Sequence, residues 1–359
     1  MCLLNDDLAH SLPGQDAVHV APELRGRTLI VLDHDIPAGS FDSAFRQKAL
    51  IDLSRQYGLP FIQAEGIGYA LLCKDRLEPG QLVLGWGDHV CSVGAAGALG
   101  LQLSDQELFR VLKQGTCSVQ VPELAGLHLT GALPPGVSAF DAALSLLPGL
   151  EELYKGKLLL LTDESGLDLE ERMSFCQLLH RFGALSAIFV SEETAGRLLD
   201  AGMTQTCDLT QARVSVVLPG CMTHIQPLDG LKPVRVDACF IGGCVGGHIG
   251  QLRQAAEILR GKRVKREVRL LVGFASNEDY LAAMREGLVE VFLDCGAQVA
   301  NPGCASCRTT SIGVVGDGEV MASTGCYNYP GCCGTQASRV CLAAPRAVAK
   351  AALSGYLQA

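Results

Sequence analysis

Three cysteines in the last third of this chain have the spacing of a metal-binding set. Cys304 and Cys307 form a Cys-x-x-Cys pair, and Cys244 lies in the glycine-rich stretch Ile-Gly-Gly-Cys-Val-Gly-Gly-His. Glycine lets the backbone approach a bound group closely, so the three thiolates could converge on one cofactor. Three thiolates on a cluster of four irons leave one iron open as a Lewis acid. The pattern favours a [4Fe–4S] cluster held by these three cysteines.

Two other kinds of site are compatible with the Cys-x-x-Cys pair taken alone. It could be a thioredoxin-like redox pair or half of a zinc site, although structural zinc sites usually have two close pairs. The glycines around Cys244 also lie between a strand-like and a helix-like stretch, as in dinucleotide-binding turns. Their spacing is not Gly-x-Gly-x-x-Gly, however, and a cysteine stands in the phosphate position. The iron–sulfur interpretation is favoured, and the redox and zinc alternatives stay open.

The composition favours α/β layers with many tight loops. The 359 residues are 48% hydrophobic and only 5% aromatic, with 41 glycines, so aliphatic strands and small residues must do most of the packing. A chain of this length can form two or three domains around a substantial core.

Charge and cysteine usage exclude several classes of partner. The net charge is −9, and the one basic block, residues 260–266, is typical of a helix end that enters a strand, so we expect no nucleic-acid partner. No segment has the apolar length of a membrane span, and the N-terminus lacks a signal-peptide pattern. The 16 cysteines have no regular spacing and indicate reduced thiols, most of them buried, in a cytoplasmic protein.

Short apolar runs alternate with helical stretches, which predicts β-α-β units with largely parallel sheets. Strands are expected at 28–32, directly before Asp33, at 236–241 before Cys244, and at 289–293 before the Cys-x-x-Cys pair. Helices are expected at 41–57, from 104 onward, and at 140–147, 168–182, 192–201, 249–260, 277–287 and 343–353.

We expect four segments along the chain. The polar, irregular residues 1–24 are interpreted as a loose N-terminal arm, followed by a first α/β domain over 25–150. A second α/β domain is expected over 151–232, and a third, which carries the cluster cysteines, over 233–359.

A collinear series of short motifs from about Gly26 to the C-terminus resembles the aconitase superfamily, most closely the large subunits of 3-isopropylmalate dehydratase and homoaconitase. Many short motifs in the same order are far more specific than any one of them. They are Val31-Leu-Asp-His-Asp-Ile-Pro37, Glu65-Gly-Ile-Gly68, Pro79-Gly-Gln-Leu-Val-Leu-Gly85, His89 with Gly94-Ala-Ala-Gly-Ala98, Val121-Pro-Glu123, Gly136-Val-Ser-Ala-Phe-Asp141, Leu169-Glu-Glu-Arg-Met-Ser174, Ile241-Gly-Gly-Cys244, Asn301-Pro-Gly-Cys-Ala-Ser-Cys307 and Asn328-Tyr-Pro-Gly331.

The resemblance implies three α/β/α domains around a central cleft that holds a [4Fe–4S] cluster. A fourth, mobile domain is often on a separate small subunit in this family. Nothing in this chain resembles that domain, so a small-subunit partner is implied. By position, Cys244, Cys304 and Cys307 match the three cluster ligands.

The resemblance also implies roles for residues around the cluster. The matching acidic and imidazole groups would transfer protons during elimination of water from a small hydroxy acid; they are Asp33, His34, His89 and Glu170. The expected substrate-binding residues are Asp88, Arg172, Tyr327 and Asn328.

The departures from the family pattern concern the substrate site. In the tail, both arginines of the Asn-Arg-Asn-Phe-x-Gly-Arg pattern are replaced, by Tyr327 and Cys332. Neither residue can grip a carboxylate with arginine's planar fork, so we expect a hydro-lyase whose specificity differs from 3-isopropylmalate. In the alternative, Cys326, Cys332 or Cys333 ligates the fourth iron, or carries sulfur or redox chemistry beside the cluster, and the chain is not a dehydratase.

Overall fold

The computed structural model describes residues 1–8, 18–200, 202–308 and 311–359. Over these ranges the strands form one five-stranded, one four-stranded and one seven-stranded sheet, together with a two-stranded ribbon of β12 (Val234–Arg235) and β18 (Tyr356–Leu357). None of the described helices combines the length and the apolar character that crossing a bilayer would require.

The first sheet is parallel throughout and has the N-terminal strand at its centre. β1 (Cys2–Asn5) pairs with β2 (Thr28–Leu32) on one side and β4 (Leu82–Gly85) on the other, and the outer strands are β3 (Phe61–Gln63) and β5 (Leu99–Gln102). The expectation of a loose arm is wrong for residues 2–5, because this short apolar run is fully buried between two strands. Residues 9–17 of the expected arm lie outside the described residues.

Among the described residues, five helical segments accompany this sheet. They are α1 (Phe41–Tyr57), α2 (Gly68–Asp75), α3 (Asp105–Gln114) and two 3-10 helices, at Pro22–Arg27 and at Asp88–Ala96.

The second sheet is also parallel, in the order β8 (Ser186–Phe189), β7 (Leu158–Asp163), β6 (Leu124–Thr130) and β9 (Thr204–Asp208). Its helices are α4 (Ala139–Leu146), α5 (Glu151–Tyr154), α6 (Leu169–Arg181) and α7 (Glu192–Leu198). Because β6 pairs with both β7 and β9, a boundary at 150/151 would separate strands of one sheet. The change from the first sheet to the second falls between β5 and β6.

The third sheet is mixed. Its order is β11 (Ile225–Pro227), β10 (Ser215–Val217), β17 (Arg339–Ala343), β16 (Val320–Ser323), β13 (Ala238–Ile241), β14 (Arg269–Val272) and β15 (Gln298–Val299). Strands β17 to β15 run parallel, whereas β10 pairs antiparallel with both of its neighbours. The helices are α8 (Gly243–Gly246), α9 (Ile249–Leu259), α10 (Asn277–Arg285), α11 (Leu288–Cys295) and α12 (Pro345–Ser354).

The strand expected at 289–293 is wrong, because these residues form most of α11. Val291, Phe292 and Cys295 of this helix are buried in the core of the third sheet, at the spacing of one helix face. A short apolar run has no periodicity that separates a strand from a buried helix.

Local sequence explains where several helices begin. Capping boxes open α3, α4 and α6, in which the side chains of Ser104, Ser138 and Asp168 accept a hydrogen bond from the backbone three residues later. The box formed by Asp168 defines the start of α6, which carries several residues of the site described below.

Candidate active site

The candidate residues converge where parallel strands end. Asp33 and His34 follow β2, Cys244 follows β13, Cys326 follows β16, and the Cys-x-x-Cys loop follows β15. Because parallel strands end at the same edge of a sheet, groups distant in sequence meet there. The cysteines of this region belong to an apolar core that includes residues from all three large sheets.

The first group joins the end of β2 to the Cys-x-x-Cys loop. His34 Nδ1 donates a hydrogen bond to Asp33 Oδ1 at 2.6 Å, and ligand atoms of Asp33, His34 and Cys304 all lie within 4.8 Å of one another. The Cys304 amide donates to the Asp33 carbonyl at 2.7 Å. A Cβ on Gly303 would lie 2.8 Å from that carbonyl oxygen, and its φ is +147°, so this close approach requires glycine.

Asp6, at the end of β1, holds the Asp33–His34 turn. Its carboxylate accepts hydrogen bonds from the backbone amides of Asp33, His34 and Asp35 at 3.0–3.1 Å. Although burial opposes ionisation, His34 and these amides lower the pKa of the Asp6 carboxyl. Asp6 is a site residue that the sequence analysis missed.

The second group surrounds His89, near the start of the 3-10 helix at Asp88–Ala96. Cys244 Sγ lies 3.5 Å from His89 Nδ1 and 3.9 Å from Cys326 Sγ. The Gln177 amide donates to His89 Nδ1 at 2.6 Å and to Cys244 Sγ at 3.2 Å. This leaves His89 Nε2 to face the Tyr327 hydroxyl at 3.2 Å. Gln177, on the buried face of α6, was also missed.

Cys307 lies between the chain segments that carry the other thiols. A Cβ on Gly243 would lie 3.3 Å from Cys307 Sγ, and one on Gly325 would lie 3.8 Å from it. These glycines directly precede Cys244 and Cys326. The structure therefore brings the three predicted ligand cysteines to one buried region, with Cys326 as a fourth thiol.

The surroundings shift the pKa values of the thiols in different directions. Hydrogen bonding from Cys326, aided by His89 and Gln177 against the effect of burial, holds the pKa of Cys244 well below its ordinary value. Burial raises the pKa of Cys304 to about 11, although His34 acts in the opposite direction. Burial and neighbouring thiols raise the pKa of Cys307 and Cys326. Cys244 is therefore the member of the set whose surroundings most favour the thiolate.

The two other candidate thiols pair with each other. A hydrogen bond from Cys333 lowers the pKa of Cys332, and that of Cys333 is raised in turn. Neither belongs to the close groups around His89 and Cys304, within the described residues. Of the three extra cysteines, Cys326 is the one in contact with Cys244.

Glu170 lies in a separate buried group. Its Oε1 is 3.7 Å from His248 Nδ1, and the same nitrogen is 3.8 Å from Asp279 Oδ2. His248 Nε2 donates to the backbone carbonyl of Cys244 at 3.1 Å, while Lys74 binds Asp279 at 3.2 Å. Burial raises the pKa of Glu170. This group contacts the cysteine centre through the Cys244 backbone.

The four expected substrate-binding residues lie in different surroundings. Tyr327 contacts His89, and Asp88 is paired with Arg181 at 2.5 Å. Asn328 donates to the Leu218 carbonyl at 2.9 Å, and Arg172 donates to Asp163 through Nε and Nη2 at 3.2 and 2.9 Å. Tyr327 and Asp88 line one cavity, whereas Arg172 and Asp163 line another.

The donor set is suited to an iron–sulfur cluster. Cys244, Cys304, Cys307 and Cys326 are each at most 6% exposed, and thiolates are the ligands that such clusters prefer. A zinc site with imidazole ligands is a weaker match, because the two histidines next to these thiols are each engaged by other side chains.

Three comparisons identify similar proteins. The family model "Aconitase family (aconitate hydratase)" matches residues 15–217 and 204–355. The chain is 32% identical to a homoaconitase large subunit of Thermus thermophilus, over 95% of this chain and 86% of that one. It is 28% identical to 3-isopropylmalate dehydratase large subunit 1 of Archaeoglobus fulgidus, over 99% and 93%.

A solved structure supports the fold. The crystal structure of Thermococcus kodakaraensis aconitase X (holo-form) superposes with a TM-score of 0.55 at 11% identity, over 90% of this chain and 82% of that one. The predicted fold class is confirmed by this match and by the family model. On these matches, which span nearly the whole chain, the protein belongs to the aconitase family.

Proposed function

We propose that this chain is the large subunit of a [4Fe–4S]-dependent hydro-lyase that acts on a small hydroxy acid. The names of its relatives, homoaconitase and 3-isopropylmalate dehydratase large subunits, support the reaction class and a small-subunit partner. The replaced tail arginines indicate a substrate other than 3-isopropylmalate.

One observation carries the proposal: buried thiols and two oriented imidazoles share one region. His34 lies with Cys304, and His89 lies with Cys244 and Cys326. An electron-transfer cluster needs no such imidazoles, whereas removal of a carbon-bound proton requires a base held in a fixed orientation.

The cluster would be held by Cys244, Cys304 and Cys307. When bound, it supplies a Lewis-acidic iron that favours departure of a hydroxyl group. The protein's own groups handle protons. Asp33 fixes the His34 ring by accepting from Nδ1, and burial of both groups keeps bulk water away from them.

His89 is the second candidate for proton transfer. Gln177 fixes Nδ1, so the proton of the neutral ring is on Nε2, on the side of the Tyr327 hydroxyl. The proposed division of work is that one imidazole takes the carbon-bound proton and the other protonates the leaving hydroxyl. Glu170 would act at a distance, through His248 and the Cys244 backbone.

The test is turnover by the anaerobically reconstituted chain, alone and with its candidate small subunit. We expect formation of an unsaturated acid from at least one hydroxy acid, detected by ultraviolet absorbance. Asp33→Asn should lower kcat about 100-fold without loss of iron, because it leaves the imidazole unsupported. The same turnover by the protein stripped of iron would contradict the proposal.

A second function is supported by the position of Cys326. Its sulfur is fully buried and lies 3.9 Å from Cys244 Sγ, so it could supply a fourth thiolate and close the cluster. The chain would then transfer electrons or stabilise a structure rather than remove water.

Cys326→Ser separates the two functions. A three-cysteine cluster should retain its iron content and visible absorbance in this variant, and a hydroxy acid should still perturb its spectrum. A four-cysteine cluster should lose iron and become responsive to hydroxy acids only after the substitution. Cys332→Ser is the matched control, since Cys332 is equally buried but pairs with Cys333.

A further inference from the structure

A cavity of about 580 Å³ opens beside the cysteine region. Two arginines and three aromatic side chains line it: Arg181, Arg308, Trp86, Tyr327 and Tyr329. The aromatic rings form an apolar wall, and the guanidinium groups supply the positive charge. Such a combination is suited to an organic acid with a short carbon skeleton.

The two guanidinium groups lie against the same ring. Arg181 Cζ is 4.8 Å from the centroid of Tyr327, and Arg308 Cζ is 5.6 Å from it. Arg308 also lies 5.5 Å from the centroid of Trp86. These contacts hold both guanidinium groups beside aromatic rings, which do not use up the N–H donors.

Each arginine retains unused donor capacity. Arg181 donates from Nη1 to Asp88, and Arg308 pairs through Nη2 with Asp7. The Nε atoms of both are buried without a hydrogen-bond partner. A guanidinium has five N–H donors, and a planar carboxylate can accept two of them from one edge. Two arginines held by one carboxylate each can therefore bind a further carboxylate.

Tyr327 connects the cavity with the proposed reaction centre. Tyr327 lines the cavity and contacts His89 Nε2, and His89 lies beside Cys244. Arg308 directly follows the ligand candidate Cys307. An acid bound by the arginines would contact Tyr327, whose hydroxyl faces the imidazole.

We infer that Arg181 and Arg308 bind a carboxylate of the substrate, and that they replace the arginines missing from the tail. Tyr327 occupies one of those tail positions, and it is the ring on which both new arginines stack. The inference rests on the proposed hydro-lyase function only where it calls the bound acid a substrate. The predicted substrate class is a hydroxy acid with a second carboxylate.

Binding can be measured without turnover, because Trp86 is the one tryptophan of the chain and lines the cavity. The reconstituted full chain would be titrated with malate, 3-isopropylmalate and lactate, with Trp86 fluorescence and calorimetry as readouts. Malate is lactate with an additional carboxylate. We expect at least one diacid to bind 10-fold or more tightly than lactate.

Arg181→Gln and Arg308→Gln should each weaken diacid binding about 10-fold or more and leave lactate binding nearly unchanged. Arg181→Lys, which keeps the charge near Asp88, covers the case that Arg181→Gln fails to fold. Arg269→Gln is the control, because Arg269 binds Glu319 on the third sheet and does not line the cavity.

The outcomes separate this inference from the proposed function. Loss of diacid binding in the arginine variants supports the inference even if no water elimination is found. Equal affinity for diacids and lactate in the unmodified protein would overturn it, as would diacid affinities that are unchanged in Arg308→Gln and Arg181→Lys. Turnover with an unchanged KM in those variants would overturn this inference and leave the proposed hydro-lyase function in place.

Discussion

At the residue scale, the same side chain has different chemistry in different surroundings. Burial, as the largest cause, raises the pKa of Cys73, Cys91 and Cys341 to about 12, as expected of thiols that act as packing groups. Cys244 is equally buried, but its neighbours donate hydrogen bonds that stabilise the thiolate. Hydrogen-bond donors, rather than depth, distinguish Cys244 from these packing cysteines.

Asp6 provides a residue-scale prediction. Asp6→Ala leaves three buried backbone amides without an acceptor, so we expect a loss of about 3 kcal/mol or more in the free energy of unfolding. Urea unfolding and iron content after reconstitution would measure this. Asp6→Asn, which retains one acceptor oxygen, should lower the free energy of unfolding by less. Asp42→Ala should lower it by almost nothing, because Asp42 is exposed at the start of α1. Equal stabilities of the Asp6 and Asp42 variants would contradict the prediction.

The substitution Tyr327→Phe provides a second prediction at the residue scale. The substitution removes the hydroxyl that faces His89 Nε2 and keeps the ring on which the arginines stack. We expect kcat to fall about 10-fold, with little change in KM and a shifted pH–rate profile, because the imidazole loses a fixed partner. Tyr356→Phe, on the exposed C-terminal ribbon, is the control. A change confined to thermal stability would indicate a purely structural role.

At the element scale, His89 is positioned by the packing of its 3-10 helix on α6 and β8. Gly94 in this helix has no room for a side chain, since a Cβ would lie 1.7 Å from the Ala187 carbonyl oxygen. Gly94→Ala should therefore separate the helix from β8 and cost about 3 kcal/mol or more of stability, as overpacking does at its upper limit. Gly149→Ala is the matched control, because a Cβ there contacts nothing within 4 Å. Thermal unfolding that shifts equally in both variants would disprove this account.

Asp141, in the first turn of α4, is expected to make the free energy of unfolding depend on pH. Burial, opposed by hydrogen bonds from Ser138 and Ser215, raises the pKa of Asp141 to about 6 from 3.8. The folded state thus holds this proton more tightly than the unfolded state, so the contribution of Asp141 to stability decreases as pH rises from about 4 to about 6. The total effect is about 3 kcal/mol.

Asp141→Asn isolates this contribution from the other carboxyl groups. The Asn side chain does not ionise, so the variant should gain stability relative to the unmodified protein as pH rises from about 3.5 to about 6.5. Urea unfolding at a series of pH values would show it. A stability difference that stays constant over this range would mean that Asp141 has an ordinary pKa.

At the scale of the whole molecule, residues of all three large sheets share the buried core that contains the candidate site, and the N-terminal strand is part of the first sheet. β1 pairs with β2 and β4, and the Met1 amino group donates to the Leu82 carbonyl at 2.7 Å. Deleting residues 1–5 should abolish cooperative unfolding of the first sheet, because two strands lose their shared neighbour. Deleting Gln358 and Ala359 at the other end should leave circular dichroism and the unfolding midpoint unchanged. A loose arm would make both deletions equally harmless.

The sequence by itself determined the local parts of this protein. The cysteine spacing and the collinear motifs indicated the family, and the capping boxes and apolar runs indicated most helices and strands, because caps and periodicity act over a few residues. The same locality explains the errors. The apolar runs at 2–5 and 289–293 are too short for periodicity to distinguish an arm, a strand and a helix.

Only the tertiary structure decided which distant groups meet. It brought Cys326 rather than Cys332 to Cys244, Gln177 to His89, and two arginines from unrelated segments to Tyr327. The first two of these contacts, Cys326 with Cys244 and Gln177 with His89, each join residues that are more than 60 positions apart in sequence. No short-range pattern encodes them, because they result from where parallel strands end and how the helices between those strands pack.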